Sequence, residues 1–310
     1  MNLQERMAAG KRILKSGERL DDLERNGFVL IQKTKGFRFG MDAVLLSGFA
    51  AVRLGERSMD LGTGTGIIPI LLAAKTEGAQ FFGLEVQPEA AEMAARSVRL
   101  NELCGRVTIL LGDLKEILKG QPRFPQADVL PELEPVSAEA ATVSAETAEV
   151  QGSGACRLSE ELAQKFGVGQ SPDWTMLTPG SFDVVTSNPP YMKAGQGLKN
   201  PNEAKALARH ELLCSLSDVC FAAGRLLRSG GRFYMVHRPE RLAEILATLA
   251  AARLAPKRLR FVHPFADREA NMVLVEAVRD GRAGCRIEAP LCIFEAEGQY
   301  TEEIRTQYRF

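Results

Sequence analysis

The period of the hydrophobic positions changes several times along the chain, and each change marks an element. Residues 27–32 (GFVLIQ) are an apolar run of strand length, and 42–53 (DAVLLSGFAAVR) space their apolar residues for one helical face, with Asp42 as the expected N-cap. From Ser58 a strand–helix rhythm sets in. SMDLG (58–62) reads as a strand, Ile67–Lys75 as a helix, QFFGLEV (80–86) as a strand and Pro88–Leu100 as a helix opened by proline. VTILLGD (107–113) is a third strand, and a short helix follows to about Lys119. This alternation predicts a parallel sheet with crossover helices.

Residues 121–180 break the rhythm. They are rich in Pro, Ala, Glu, Ser and Thr and contain a near-repeat, VSAEAAT (136–142) followed by VSAETAE (143–149). Two copies are too few for a repeat fold, and the composition is too polar for a core, so the segment reads as an inserted, weakly structured stretch. Trp174, the chain's only tryptophan, is a candidate anchor for its end. The rhythm resumes with SFDVVTSNPPY (181–191), a strand closing on a Pro-Pro turn. A helix is expected over Leu213–Leu227, stopped by Ser229-Gly230-Gly231, then a strand RFYMVHR (232–238) and a helix Pro239–Ala252. KRLRFVHP (257–264) and ANMVLVEAVR (270–279) follow each other without a helix, the signature of an antiparallel closing pair. The tail, 285–310, reads as an extended segment and a final short helix.

Composition narrows the class. The chain has 310 residues, 45% hydrophobic and 25% charged, proportions of a soluble globular protein. The reading is one domain over 1–310, with a strand/helix extension at 1–55 and the insertion at 121–180. The N-terminal stretch is charged and lacks the apolar region of a secretory signal, and no apolar run reaches the ~20 residues of a membrane span. A cytoplasmic protein is expected. Six cysteines without a CxxC pair and three isolated histidines predict no metal site. The net charge of zero conceals an asymmetry: 122–180 carries nine acidic and three basic residues, so the remaining body is basic by six charges. That body is compatible with a nucleic-acid partner.

Candidate chemistry begins at the first strand of the series. Asp60-Leu-Gly-Thr-Gly-Thr-Gly66 follows that strand and opens a helix, and Gly62, Gly64 and Gly66 permit a tight turn against which a ligand can lie. The spacing is GxGxG, not the GxGxxG of dinucleotide binders, and no lysine follows to cradle phosphate. Such a turn also occurs at ordinary strand–helix junctions. Three acids add to it: Asp60 before the turn, Glu85 at the end of the next strand, and Asp113 at the end of the third. Each alone is often a helix cap, but open α/β sheets bind ligands at the carboxyl ends of consecutive strands. Together they resemble the S-adenosylmethionine site of class I methyltransferases. The resemblance implies that the glycines contact the methionine part, that Asp60 faces its cationic group, that Glu85 holds the ribose and that Asp113 touches the adenine.

Asn188-Pro189-Pro190-Tyr191 ends the fourth strand. An exocyclic amino group on an aromatic ring or amide is planar and a poor nucleophile, because its lone pair is delocalised. The Asn188 side-chain carbonyl and the Pro189 backbone carbonyl can accept its N–H bonds and localise the lone pair, the prolines stiffen the turn, and Tyr191 offers a stacking face. NPPY after a hydrophobic strand resembles the motif of amino-methyltransferases. GFRFGMDAVLLSGFA (36–50), VHRPERLAEI (236–245), FVHPFADREANMVLVEAVRDGRAG (261–284) and APLCIFEAEGQYTEEI (289–304) are similar to the bacterial tRNA(Val) adenine-N6-methyltransferases.

That resemblance covers about 1–120 and 180–310; the insertion departs from it. It implies a Rossmann-like fold with a seven-stranded, mostly parallel sheet, an antiparallel strand near one edge and helices on both faces. It also implies S-adenosylmethionine as cofactor, tRNA as substrate, methylation of the adenine beside the anticodon, and Asp42 closing over the cofactor. Candidate RNA contacts are Lys193 and Arg209, with Lys199 and Lys205 beside them, and Arg258, Arg260 and Arg268, with Lys257 nearby. His237 and His263 need no catalytic role. The alternatives are glutamine methylation of a release factor, for which no N-terminal substrate domain is visible, DNA methylation, for which the acidic insertion is unsuited, and a non-catalytic RNA-binding module, which the intact motifs oppose. Monomer and dimer remain open.

Overall fold

The computed structural model describes residues 1–34, 40–119, 177–189 and 214–308. Of the insertion only 177–180 are among them, and Pro190, Tyr191, Lys193, Lys199, Lys205 and Arg209 lie outside the described residues.

Five strands form the parallel centre: β3 (Arg57–Leu61), β4 (Gln80–Glu85), β5 (Val107–Leu111), β6 (Phe182–Ser187) and β7 (Leu227–His237). They follow β1 (Glu18–Asp22) and β2 (Val29–Lys33), an antiparallel hairpin outside the main sheet. Strands β8 (Leu254–His263) and β9 (Met272–Arg279) complete a path β5-β4-β3-β6-β7-β9-β8. Strand β9 is antiparallel to both neighbours, as the helix-free succession of the two segments predicts. Two short strands, β10 (Arg286–Ile287) and β11 (Leu291–Cys292), extend the outer edge of β8.

Alternation along each strand builds two cores. Phe81, Val184, Tyr234 and Val236 face helices α2 (Met41–Phe49), α3 (Ile67–Lys75) and α4 (Pro88–Leu100). Phe82, Val185, Phe233 and Met235 face α5 (Leu216–Leu226) and α6 (Leu242–Ala251). Helices on both faces leave the strands buried, so they read as nearly continuous apolar runs.

Several boundaries differ from expectation, each for a local reason. Helix α2 starts at Met41 on an N-cap glycine, Gly40, so Asp42 is in its first turn rather than its cap, and the helix ends at Phe49 instead of reaching Arg53. A capping box between Ser215 and Asp218 starts α5. Pro239–Arg241 form a separate 3-10 turn ahead of α6. Strand β7 begins at Leu227 and runs through the Ser-Gly-Gly segment, with Gly230 at φ +78°.

The charged N-terminus forms helix α1 (Leu3–Ile13), opened by a capping box between Asn2 and Glu5. The β1–β2 hairpin docks on α4 by side-chain hydrogen bonds in place of a further strand. Asn101 Oδ1 accepts from the Val29 N–H at 2.9 Å, its Nδ2 donates to the Val29 carbonyl at 2.7 Å, and Ser97 Oγ accepts from the Ile31 N–H at 3.0 Å. Arg96 donates to both carboxylate oxygens of Glu18 at 2.9 and 2.7 Å. Arg96 and Ser97 of α4 and its C-cap Asn101 are all buried. Asn101→Ala strands both backbone groups of fully buried Val29, and it is expected to lower stability by about 2–4 kcal/mol in urea unfolding.

Candidate functional site

The glycine loop joins β3 to α3. Gly62, Gly64 and Gly66 have φ of +73°, +57° and +84°. A Cβ at Gly62 or Gly64 would meet nothing within 4 Å, so open space lies above both residues. At Gly66 it would lie 3.0 Å from the Ala94 Cβ, which is how α4 approaches the start of α3. The Gly62 and Thr63 N–H groups donate to the Leu84 carbonyl at 2.9 and 3.0 Å, and Gly64 N–H donates to Glu85 Oε2 at 2.8 Å. Gly83 gives the Thr63 side chain its room, since a Cβ there would be 2.7 Å from it.

Asp60 is the penultimate residue of β3 and 2% exposed. Thr186 Oγ1 donates to its Oδ1 at 2.7 Å, and its buried Oδ2 has no hydrogen-bond partner among the described residues. Burial pushes the Asp60 carboxyl up to about 7, against the opposing hydroxyls of Thr63 and Thr186 and with the Glu85 charge adding to the rise. Glu85 ends β4 and is also buried, its Oε1 accepting from the Gln87 N–H at 2.9 Å. Asp113 lies two residues past β5 and caps the 3-10 turn Leu114–Leu118, accepting from the Lys115 N–H at 2.9 Å. Asp42 accepts from the Ala43 N–H at 2.9 Å at the start of α2, which packs along α3.

Half-buried Asn188 and buried Pro189 follow directly on β6. Strand β6 pairs with β3 so that Thr186 stands opposite Asp60 and Ser187 opposite Leu61. The carboxyl ends of β4, β3 and β6 therefore bring Glu85, the glycine loop with Asp60, and Asn188 to one edge of the sheet. Gly83, Thr186 and Ser187 escape a reading for motifs; Thr63 lies within the glycine motif but with no role read for it, and the Thr-Ser pair immediately before NPPY is the trace of the other two hydroxyls.

The basic candidates divide. Arg258 donates to Glu276 at 2.7 Å, lies 3.4 Å from Glu288, donates to the Phe49 carbonyl at 3.0 Å and stacks 3.9 Å from that ring's centre. Arg260 pairs with Glu303 at 2.7 Å and donates to the Ala289 carbonyl at 3.1 Å. Both charges are answered within the chain. Arg268 is exposed, on the turn between β8 and β9, and that turn lies at the same sheet edge as Asn188. His237, buried at the end of β7, has its pKa lowered to about 4 by burial and the nearby Arg241 charge, so the ring is neutral at physiological pH.

The arrangement fits a ligand that is cationic at one end and a nucleoside at the other. A buried carboxylate oxygen awaits a donor, bare backbone faces open space, and a second carboxylate ends the adjoining strand.

Among the described residues, no helix is long and apolar enough to cross a membrane. No family model matches the chain. It is 25% identical over 253 residues to the tRNA1(Val) (adenine(37)-N6)-methyltransferase of Porphyromonas gingivalis, covering 80% of this chain and 77% of that one. It is likewise 25% identical over 266 residues to the enzyme of that name from Aeromonas hydrophila, covering 86% of each. Among solved structures, a predicted O-methyltransferase from Agrobacterium tumefaciens superimposes with a TM-score of 0.56 at 22% identity, over 87% of this chain and 97% of that one. The chain has the class I methyltransferase fold and is similar in sequence to curated bacterial tRNA1(Val) (adenine(37)-N6)-methyltransferases.

Proposed function

We propose that this protein transfers a methyl group from S-adenosylmethionine to the exocyclic N6 of an adenine in tRNA, the base beside the anticodon, and that it acts in the cytoplasm. The reading is carried by one observation: the strand bearing the glycine loop and the strand bearing Asn188 are hydrogen-bonded neighbours. Adjacent strands lie about 4.8 Å apart, so a cofactor on one and an amino group on the other can come within reach of methyl transfer. The curated relatives supply the substrate class.

S-adenosylmethionine brings an electrophilic methyl on a sulfonium. Asp60 Oδ2 would accept from its ammonium, the glycine loop would carry the methionine part, Glu85 would engage the ribose and Asp113 the adenine, and Asp42 would lie over it. The Asn188 side-chain carbonyl and the Pro189 backbone carbonyl accept the two N–H bonds of the target amino group and turn its lone pair outward. Tyr191 and Pro190 hold the base. Water removes the proton, since the methylated nitrogen is acidic. Lys193, Arg209 and exposed Arg268 contact the RNA backbone.

Methyl transfer from labelled S-adenosylmethionine to unmodified total tRNA, followed by nucleoside analysis, tests the reading. N6-methyladenosine is expected, and label appearing only in protein would overturn it. Asn188→Ala is expected to lower turnover by at least about a thousandfold while cofactor binding persists, because its carbonyl acts only on the methyl acceptor. Near-normal activity would remove Asn188 from the chemistry.

Asp60 also sets a pH dependence. Its carboxyl titrates near 7 in the cofactor-free protein and must be ionised to hold an ammonium, so affinity should weaken as pH falls from 7.5 to 5.5. The folded pKa is raised, so the proton's contribution to stability is full below about 4 and is lost as pH rises through 7. Asp60→Asn should therefore flatten thermal stability across that window, leave the cofactor-free protein at least as stable at pH 8, and abolish the stabilisation given by cofactor.

A further inference from the structure

Two hydroxyls at the end of β6 stand outside the proposed chemistry. Thr186 Oγ1 donates to Asp60 Oδ1 at 2.7 Å, and Ser187 Oγ donates to the Leu61 carbonyl at 2.8 Å. Both hydroxyl-bearing residues are fully buried, and Asp60 and Leu61 are 2% and 1% exposed. Val184 and Val185 belong to opposite cores, so by alternation Thr186 and Ser187 lie on opposite faces of the sheet. The last two paired positions of β3 and β6 are thus cross-tied by side chains, once on each face, immediately before Asn188.

We propose that Thr186 and Ser187 are positioning residues that hold the Asn188-Pro189 turn in register with the glycine loop, Thr186 also orienting Asp60 so that Oδ2 meets the cofactor. The inference rests on the reading that Asp60 and Asn188 serve one methyl-transfer site. A carboxylate can rotate about its Cβ–Cγ bond, and a short bond to one oxygen fixes the direction of the other. That other oxygen is buried and makes no well-formed hydrogen bond among the described residues, the nearby Thr63 hydroxyl favouring its charged form, so it is free to accept from an incoming donor. The groups acting on Asp60 are Thr63 from the loop, Thr186 from β6 and Glu85 from β4. Of these only the two hydroxyls favour the charged form, and Thr186 makes the well-formed bond. Ser187 has a different task. Its side chain tethers the strand end to the Leu61 backbone on the face opposite the Thr186–Asp60 bond, so it governs where Asn188 sits and not how the cofactor is held.

The two ties predict separable defects. Titration calorimetry with S-adenosylmethionine between pH 5.5 and 8, with steady-state kinetics on tRNA, reads them apart. Thr186→Val keeps the shape and removes the hydroxyl; affinity at pH 7 should fall about tenfold, and its acid limb should move up by roughly one pH unit. Thr186→Ser should restore both. Ser187→Ala should keep wild-type cofactor affinity and lower kcat about tenfold. The inference is overturned by Thr186→Val with unaltered affinity and pH limb, by Thr186→Ser as impaired as Thr186→Val, or by Ser187→Ala with wild-type kcat. Should Thr186→Val fail to fold, Thr186→Ser and Ser187→Ala decide on the same criteria. Wild-type protein that binds no cofactor overturns the site reading itself, whereas normal binding with unaltered variants overturns this inference alone.

Discussion

The pairing of β6 with β3 is the constraint on which the proposed catalytic edge depends. In a sheet the side-chain period is two, so a slip of one residue would turn Thr186 to the wrong face and leave Asp60 buried with neither oxygen satisfied. A carboxylate removed from water is unfavourable unless something answers it, and here the Thr63 and Thr186 hydroxyls answer it only in part. Burial outweighs the two hydroxyls and raises the Asp60 pKa. The site thus stores an unsatisfied interaction that a cation can complete. Around this pair the other strands supply rigidity: apolar cores on both faces fix the strand ends, and the loops between them carry the chemistry.

Much of the fold was legible because its central strands are buried on both faces. Helices α3 and α4 have the limits expected from their sequence, where Gly66 and Pro88 mark their beginnings. The N-terminal elements were less legible for a physical reason. Strand β1, ERLDD, has no apolar alternation, and it is a strand because β2 pairs with it and Arg96 on α4 holds Glu18. Helix α1 had a signal, the Asn2–Glu5 capping box, obscured by the general density of charge.

The site divides in the same way. The glycine loop and NPPY are contiguous, so spacing alone reveals them. The hydrogen bond from Thr186 to Asp60 spans 126 residues of chain and cannot be seen until the strands are ordered. Arg258 and Arg260 show the converse. As sequence they are two basic residues in a row of positive charge; in the sheet Arg258 stands directly opposite Glu276 on β9, and Arg260 reaches Glu303 near the C-terminus. Charge along a chain states supply, and only the register states demand.

Strand β9 runs against its neighbours, and this reversal has a consequence for how such a protein can diversify. A parallel strand must return through a helix across the sheet, so altering that connection disturbs a core. The β8–β9 hairpin instead turns at the edge that carries Asn188, with Arg268 exposed at its tip. Its length and charge can be altered without touching either core, the buried acid or the glycine loop. The buried acid and the exposed turn thus sit at one edge of the sheet but belong to different kinds of connection.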